Sequence, residues 1–199
     1  MCTPAQGSLK LFTANPLEPL VQGKRPPRYH GALLSVPSLL NTSKPSETFM
    51  QYWLMKSEPS EYGIEDLKRD KTEHWDGVRN YQARNMMRDQ MKKNDLAFLY
   101  HSNCDEIGIV GVMTVHREGY PDHTAFDKKD KHYDPKSDPE NPRWIMVDVK
   151  YKRKLKRTIT LQELKTHKKL EGMQLLQKGN RLSIMPVSEQ HWEYILSLE

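Results

Sequence analysis

Residues 143–155 alternate between apolar and polar side chains more clearly than any other segment of this chain. In an extended strand Ile145, Val147 and Val149 point to one side, whereas Asp148 and Lys150 point to the other. An element with one apolar face must bury that face against another element. The segment therefore predicts a strand of a sheet, to which the remaining elements must be fitted.

Four further runs have the length and the β-branched or aromatic content of strands, at residues 51–56, 96–100, 107–115 and 181–187. Short helices are predicted from Ser60 to Leu67, over residues 81–91, after Thr160 and after Ser188, since Ser and Thr cap helix N-termini. Residues 68–73 and 120–142 are predicted to be loops. Five or six strands with three or four short helices, mostly not alternating, predict an α+β domain around a curved or barrelled sheet.

Residues 1–49 differ in composition from the rest of the chain. They contain seven of the thirteen prolines and no sustained helical or strand period. We therefore predict a disordered extension, or a non-native one if translation begins at Met50. A transit peptide is a further alternative, although the segment has no clear amphipathic, Arg-rich helix. Residues 50–199 are predicted to form the folded domain.

Charge and cysteine content limit the possible functions. The formal net charge is +5; residues 1–49 carry five basic and two acidic groups, which is +3, and residues 50–199 contribute only +2. Nucleic-acid affinity of the folded part would therefore depend on a local basic patch. Two cysteines make no disulfide framework or zinc pattern, and no run approaches about 18 apolar residues. We expect a protein that is neither secreted nor inserted in a membrane.

Sequence motifs for catalysis are weak. Cys104 lies three residues after His101, but no third member of a catalytic triad is apparent. Ser57 and Ser183 lack the Gly-x-Ser-x-Gly pattern of hydrolases. Histidine pairs at metal-binding spacing, glycine-rich phosphate loops and dinucleotide-binding motifs are absent from the sequence. A metal site formed by Asp122, His123 and His132 of the long loop is the alternative to solvated loop histidines, but no motif supports it. We therefore expect no metal and no cofactor.

Residues 74–85, HWDGVRNYQARN, combine aromatic rings with many hydrogen-bonding groups. This composition suits a site in which a flat, polar ligand stacks on a ring and is recognised at its edges. Alternatively, the stretch is a solvated turn in which Trp75 fills a gap in the core. A basic run at residues 150–157, which includes Lys152 and Arg153, either contacts phosphates or protects a solvated edge strand.

Several motifs resemble those of EVE-domain proteins, in particular the thymocyte nuclear protein group and its bacterial counterparts. They are YWLMKSEP at 52–59, WDGVRNYQARN at 75–85, FLYHSN at 98–103, YPDHT at 120–124, YDPK at 133–136, RWIMVDV at 143–149 and RLSI at 181–184. The resemblance runs from about Tyr52 to the C-terminus. It implies a PUA-like fold, a small curved β-barrel of five to six strands flanked by short helices and related to YTH domains. Bacterial members begin just before the first motif, which favours Met50 as the start.

The same resemblance implies a function, because EVE domains are associated with binding modified bases in DNA or RNA, and YTH domains enclose a methylated adenine in an aromatic cage. Trp75 is accordingly expected to form a wall of the pocket. The other base-binding residues that the motifs imply are Lys56, Ser57, Asn80, Tyr100, His101 and Ser102. The residues expected to contact the nucleic-acid backbone, or to have structural roles, are Arg79, Arg84 and Arg181, with Lys152 and Arg153 of the basic run.

We therefore predict a monomeric reader of nucleic acid that holds a modified, most simply methylated, base in an aromatic-walled pocket without turnover. It is expected in the nucleus of a eukaryote or in the cytoplasm of a bacterium. The alternative is a hydrolase that acts on a modified nucleotide or a small amide with His101 as acid or base, since the similar ASCH group includes hydrolases. A protein-interaction module that uses the basic strand has no motif to support it.

Overall fold

The computed structural model describes residues 50–199, and all structural statements below concern this part of the chain. The predictions for residues 1–49, whether a disordered or a non-native extension, lie outside the described residues. Within residues 50–199 no helix has both the length and the apolar character required to cross a bilayer.

Six strands form one mixed sheet: β1 (Tyr52–Ser57), β2 (Thr72–Trp75), β3 (Leu96–His101), β4 (Gly108–Pro121), β5 (Ile145–Thr160) and β6 (Ile184–Val187). Their order is β2-β5-β4-β3-β1-β6, so β2 and β6 are its edges. Strands β1 and β3 are parallel, and the other neighbours are antiparallel. Register shifts along β4 and β5 allow the sheet to curl. The predicted PUA-like architecture is confirmed, with an open, curled sheet.

Four α-helices accompany the sheet: α1 (Ile64–Asp70), α2 (Tyr81–Asn85), α3 (Leu161–Thr166) and α4 (Glu189–Ser197). Helix α2 continues into a π-helical turn at Met86–Gln90, and 3-10 turns cover His123–Ala125, Lys168–Leu170 and Gln174–Leu176. Two of the three predicted caps are confirmed. Thr160 Oγ1 accepts a hydrogen bond from the Glu163 amide at 3.2 Å, and Ser188 Oγ accepts one from the His191 amide at 3.2 Å.

The predicted start of α1 at Ser60 is wrong. The helix begins at Ile64, and Gly63 is its N-cap residue. A turn precedes it, because the amides of Glu61 and Tyr62 both donate to the Glu58 carbonyl at 2.9 Å. Asp66 then accepts a hydrogen bond from the Gly63 amide at 2.9 Å, which fixes the helix start three residues later than the serine pattern indicates.

The predicted loop at residues 68–73 is also wrong. Its first residues belong to α1 and its last to β2, which pairs with β5 so that Thr72 faces Lys150 and Trp75 faces Val147. The segment is too polar and too short to resemble a strand by itself. It becomes one because β5, correctly predicted from its alternation, supplies the hydrogen-bonding partner. Trp75 is therefore the last residue of a strand.

The core lies between the sheet and the helices. Phe98 of β3 stacks on Trp192 of α4 with ring centroids 3.8 Å apart, which holds the last helix against the sheet. Trp53 of β1 donates its indole N–H to the buried Asp95 carboxylate at 3.0 Å. Asp95 also accepts the amide of Gln51 at 3.0 Å, so it satisfies the polar groups where β1 and β3 begin.

Candidate functional site

An open pocket with a volume of ≈ 670 Å³ lies where β1 and β2 end. Its walls are formed by residues 56–58 at the end of β1, residues 61–62 before α1, residues 73–79, residues 131–132 of the long loop, and Ser183. Pockets that bind small ligands measure about 300–1,000 Å³. The pocket therefore has room for a ligand such as a nucleobase, and all six residues of the HWDGVR half of the polar aromatic stretch line it.

Trp75 contributes to both the core and the pocket. Its side chain is only 8% exposed and packs with the apolar core cluster, but it also lines the pocket. Trp75 is therefore a core residue that also belongs to the pocket lining, and the structure agrees with both interpretations of the sequence. Tyr62, His74 and His132 supply the other rings of the lining.

The end of β1 places Lys56 and Ser57 in the pocket, as the motifs imply. Ser57 Oγ donates to the Tyr62 carbonyl at 2.7 Å, so this oxygen is left as a hydrogen-bond acceptor. Lys56 Nζ lies 5.7 Å from the Tyr100 ring centroid, and burial lowers the pKa of Lys56. The ammonium has no carboxylate within ion-pair distance among the described residues, so it is a half-buried donor facing the pocket.

Asp76 is the acceptor beside Trp75. Asp76 lines the pocket, its carboxylate accepts no hydrogen bond from residues 50–199, and its oxygens keep some contact with solvent, since no fully buried polar side-chain atom there lacks a partner. Burial, followed by the charge of Asp122, raises the pKa of Asp76. An acid held in this way is expensive to keep ionised without a partner. In the sequence, the indication that Asp76 belongs to the site is its position next to Trp75.

Arg79 also lines the pocket, but its guanidinium is fully used by the protein. Nη1 donates to Asp122 at 2.7 Å, Nη2 donates to Thr124 Oγ1 at 3.0 Å, and Nε donates to the His132 carbonyl at 2.8 Å. These contacts join the aromatic stretch to the long loop after β4. Of the two roles expected for Arg79, a phosphate contact or a structural contact, this geometry favours the structural contact.

Gly77 allows this close approach. Its φ of 69° lies in the left-handed region, and a Cβ atom there would come within 2.6 Å of His132 Cε1. The Gly77 amide donates to Asp122 at 3.0 Å, next to the contact from Arg79. A larger residue would therefore clash with a ring of the lining.

Three of the expected base-binding residues lie behind the pocket instead of lining it. Tyr100 is buried under Lys56, and the Ser102 amide donates to the Ser57 carbonyl at 2.9 Å. His101 Nε2 accepts a hydrogen bond from the Ile64 amide at 3.2 Å, at the start of α1. Burial and then the charge of Lys154 lower the pKa of His101, which favours the neutral imidazole that this bond requires.

Asn80 and Arg181 lie in a second, neighbouring pocket of ≈ 400 Å³. Asn80 Oδ1 caps α2, since it accepts the amides of Gln82 at 2.9 Å and Ala83 at 3.0 Å. Arg84 is outside both pockets and donates to the Arg143 carbonyl at 2.5 Å. The seven expected base-binding residues are thus divided among the first pocket, the layer behind it and the second pocket.

The basic run lies on β5, away from both pockets. Three of its six cations are paired with acids: Arg153 with Glu199 at 2.7 Å, Lys154 with Glu65 at 2.6 Å, and Arg157 with Glu163 at 2.6 Å. Lys152 is exposed and has no such partner in the described chain. The run beyond residue 150 pairs with β4 on one side only, which agrees with the edge-strand interpretation.

A polar cluster at the pocket rim was not anticipated from the sequence. His74 faces Asp148 across β2 and β5, and His74 Nδ1 lies 3.0 Å from Asp148 Oδ1. Tyr120 donates its hydroxyl to the same carboxylate. The hydrogen bond to Asp148 raises the pKa of His74. The alternation of β5 places Asp148 on the polar face, but its partner is identifiable only once β2 is known to be a strand.

Among residues 50–199 no three His, Cys, Asp or Glu side chains are grouped so that they can hold a metal ion. The site instead offers a ring face, a cation and carboxylate or hydroxyl acceptors around an open space. The curled, mixed six-stranded sheet defines a PUA-like domain, and the pocket lies at the ends of its strands β1 and β2.

The chain belongs to the EVE-domain family, whose model, described as EVE domain, matches residues 51–198. Mouse thymocyte nuclear protein 1 is 43% identical over 213 residues, covering 94% of this chain and 93% of the mouse protein. The human protein of that name is 47% identical over 167 residues, covering 74% and 73%. The expected resemblance to the thymocyte nuclear protein group is confirmed.

Two solved structures are similar over the described domain. Human THYN1 protein, solved in complex with DNA containing 5-methylcytosine, is 48% identical, has a TM-score of 0.70 and is matched over 74% of this chain and 96% of that chain. A protein from Pseudomonas syringae is 46% identical with a TM-score of 0.72, over 74% of this chain and 98% of that chain.

Proposed function

We propose that this protein binds nucleic acid that carries a methylated base, and that the first pocket holds this base without chemical change. The observation that carries the proposal is the position of Trp75, a tryptophan of the core that is also among the residues lining a pocket of ≈ 670 Å³. A ring fixed in this way offers a stacking surface that requires no ordering when the ligand binds.

The likeness to human THYN1 protein supports DNA containing 5-methylcytosine as a ligand. That protein is 48% identical to this chain and is matched over nearly its whole length, so the surroundings of the pocket are expected to be similar. The names of the curated relatives also support a nuclear site of action.

The polar groups of the pocket suit a base that carries both a carbonyl and an amino group. Lys56 supplies donors for the carbonyl, whereas Ser57 Oγ and the Asp76 carboxylate supply acceptors for the amino group. Stacking on an aromatic side chain contributes about 1–3 kcal/mol per base. Asn80, Tyr100, His101 and Ser102 would then act indirectly, by holding α2, β1 and α1 around the base.

The methyl group adds a smaller increment. Burial of one methyl group is worth about 0.8 kcal/mol, which corresponds to roughly fourfold in affinity. Extrusion of the base from a duplex costs a few kcal/mol, and this cost is lower for a mismatched or single-stranded base. We therefore expect tighter binding to single-stranded or mismatched sites than to a fully paired duplex with the same modification.

Binding without turnover agrees better with the geometry than hydrolysis by His101. The imidazole lies outside the pocket lining, and Nε2 is already occupied by the Ile64 amide. A general base must reach the proton that it removes. His101 would have to abandon the start of α1 to do so.

The test is a panel of single- and double-stranded oligonucleotides that carry 5-methylcytosine, other methylated bases or no modification. We expect tighter binding to a methylated strand and recovery of the oligonucleotide with unchanged mass after long incubation. Equal affinity for methylated and unmodified strands contradicts the reader function. A product of altered mass that disappears in His101→Ala supports the hydrolase.

A further inference from the structure

The first and second pockets are lined in part by residues that are adjacent in the sequence. Asn80 and Leu182 line the second pocket, and they directly follow Arg79 and directly precede Ser183, which line the first. Two separate chain segments therefore pass from one pocket into the other. A polymer with one residue in the first pocket can therefore reach the second with a neighbouring residue.

The charge of the two pockets is different. The lining of the first includes four carboxylates, from Glu58, Glu61, Glu73 and Asp76, against three cations, Lys56, Arg79 and Lys131, so its formal charge is −1. The lining of the second includes two cations, Lys178 and Arg181, several amides and no acid. A phosphate is repelled by the first set of side chains and attracted by the second.

Arg181 is exceptional among the arginines of residues 50–199. The other eight each make an ion pair, a hydrogen bond or a contact with an aromatic ring. Arg181 makes none of these, and its side chain is exposed. Its five N–H donors are free for a ligand, and the planar guanidinium matches the geometry of phosphate oxygens.

The loop that carries Arg181 is nevertheless fixed in position. Asn180 Nδ2 donates to the Gln174 carbonyl at 2.7 Å, and Asn180 Oδ1 accepts the Leu182 amide at 3.0 Å. One amide side chain thus holds the residues on both sides of Arg181. A charge presented from a fixed loop binds a phosphate at a smaller entropic cost than one on a mobile loop.

We propose that the second pocket is a phosphate subsite, in which Arg181 and Lys178 bind the phosphodiester that adjoins the nucleotide held in the first pocket. This inference rests on the proposed function, since it takes the ligand to be a nucleic-acid strand. It separates two tasks: the first pocket selects the base, and the second anchors the backbone regardless of sequence.

The first test compares Arg181→Gln with Lys93→Gln. Lys93 is exposed and precedes β3, whose first residue pairs with the start of β1, at the opposite end of that strand from the first pocket, so it is the matched control. Each phosphate contact contributes about one unit to the slope of log affinity against log salt concentration. We expect Arg181→Gln to reduce this slope by about one and to weaken modified and unmodified strands alike, by roughly fivefold to tenfold at about 0.1 M salt. Lys93→Gln should leave the slope unchanged. An unchanged slope in Arg181→Gln, or an equal loss in Lys93→Gln, overturns the subsite.

The second test replaces single phosphodiesters beside the modified base with neutral methylphosphonates. At one position the replacement should weaken binding by the wild type but not by Arg181→Gln, because the same contact is already lost. If the losses of affinity caused by the methylphosphonate and by Arg181→Gln are additive at every position, the inference is overturned, even if the wild type still prefers the methylated strand. Conversely, coupling at one position without any preference for methylation supports the subsite while the base-reading function fails.

Discussion

Arg79 and Asp122 form an ion pair that joins the aromatic stretch lining the first pocket to the long loop after β4. Arg79 Nη1 donates to Asp122 Oδ2 at 2.7 Å, the aspartate side chain is fully buried, and that of Arg79 is 22% exposed. Burial alone would raise the pKa of Asp122, but hydrogen bonds from Thr124 and Arg79 outweigh it and the pKa is lowered. The carboxylate is thus ionised, and it depends on its donors.

Arg79→Ala should therefore destabilise the domain strongly. Removal of one partner leaves a buried charge unpaired, which typically costs about 3–5 kcal/mol. The measurement is the free energy of unfolding in urea at neutral pH. The double variant Arg79→Met with Asp122→Asn should lose less than the sum of the single changes. A loss below about 1 kcal/mol in Arg79→Ala would show that the pair is not required.

The same pair gives a pH dependence of known sign. Because the folded-state pKa of Asp122 is depressed, its contribution is present above the unfolded value of 3.8 and is lost as pH falls through the folded pKa. The stability difference between wild type and Arg79→Ala should therefore shrink in acid. Urea unfolding curves of both proteins at several pH values below neutrality measure this difference. A difference that grows in acid would contradict the ion pair between Arg79 and an ionised Asp122.

His74 and Asp148 give a pH dependence of the opposite sign. The hydrogen bond to Asp148 raises the pKa of His74, so its stabilisation is complete below the unfolded value of 6.5 and is lost as pH rises through the folded pKa. His74 is 51% exposed, so the effect should be below about 1 kcal/mol. NMR titration should show a lower His74 pKa in Asp148→Asn, and an unchanged pKa would contradict the pairing.

Asp76 should lower stability in the absence of ligand. Burial raises its pKa, so the ionised form costs free energy in the folded state at neutral pH. Asp76→Asn should then unfold at a higher urea concentration than the wild type at neutral pH. This gain should narrow as pH falls towards the unfolded value of 3.8. A variant that is less stable at neutral pH would indicate a donor to Asp76 that this geometry lacks.

Gly77→Ala should damage the pocket through two separate effects. The left-handed φ of 69° costs a residue with a Cβ roughly 1–2 kcal/mol, and that Cβ would meet the His132 ring at 2.6 Å. Adding His132→Ala removes the second effect but not the first, so the double variant should recover part of the lost stability. No recovery in urea unfolding would mean that the ring does not limit the approach.

Most of the fold could be predicted because local patterns determine it. The alternation after Arg143 identified β5, and Thr160 and Ser188 identified two helix starts. The strand β2 could not be found in this way. Its residues are polar, and they are extended only because β5 lies beside them.

The site was only partly predictable, because several of its contacts join residues that are far apart in the sequence. The motifs placed Lys56, Ser57 and Trp75 in the pocket because these residues stand at strand ends. The ion pair of Arg79 with Asp122 joins residues 43 positions apart, and no local pattern indicates it. His101 looked chemically active in the sequence, yet it holds the start of α1.

The central claim is tested most directly by the preference for a methylated base in Trp75→Leu and Trp75→Phe. This preference is the ratio of the dissociation constants of two single strands that differ only in carrying cytosine or 5-methylcytosine. Trp75→Ala is unsuitable because truncation of a core tryptophan costs about 3–5 kcal/mol, whereas leucine keeps apolar bulk and phenylalanine also keeps a ring. The wild type should prefer the methylated strand by about fourfold or more. Trp75→Phe should retain much of this preference, and Trp75→Leu should lose it while remaining folded. A folded Trp75→Leu that keeps the full preference would contradict the claim that the methylated base stacks on Trp75.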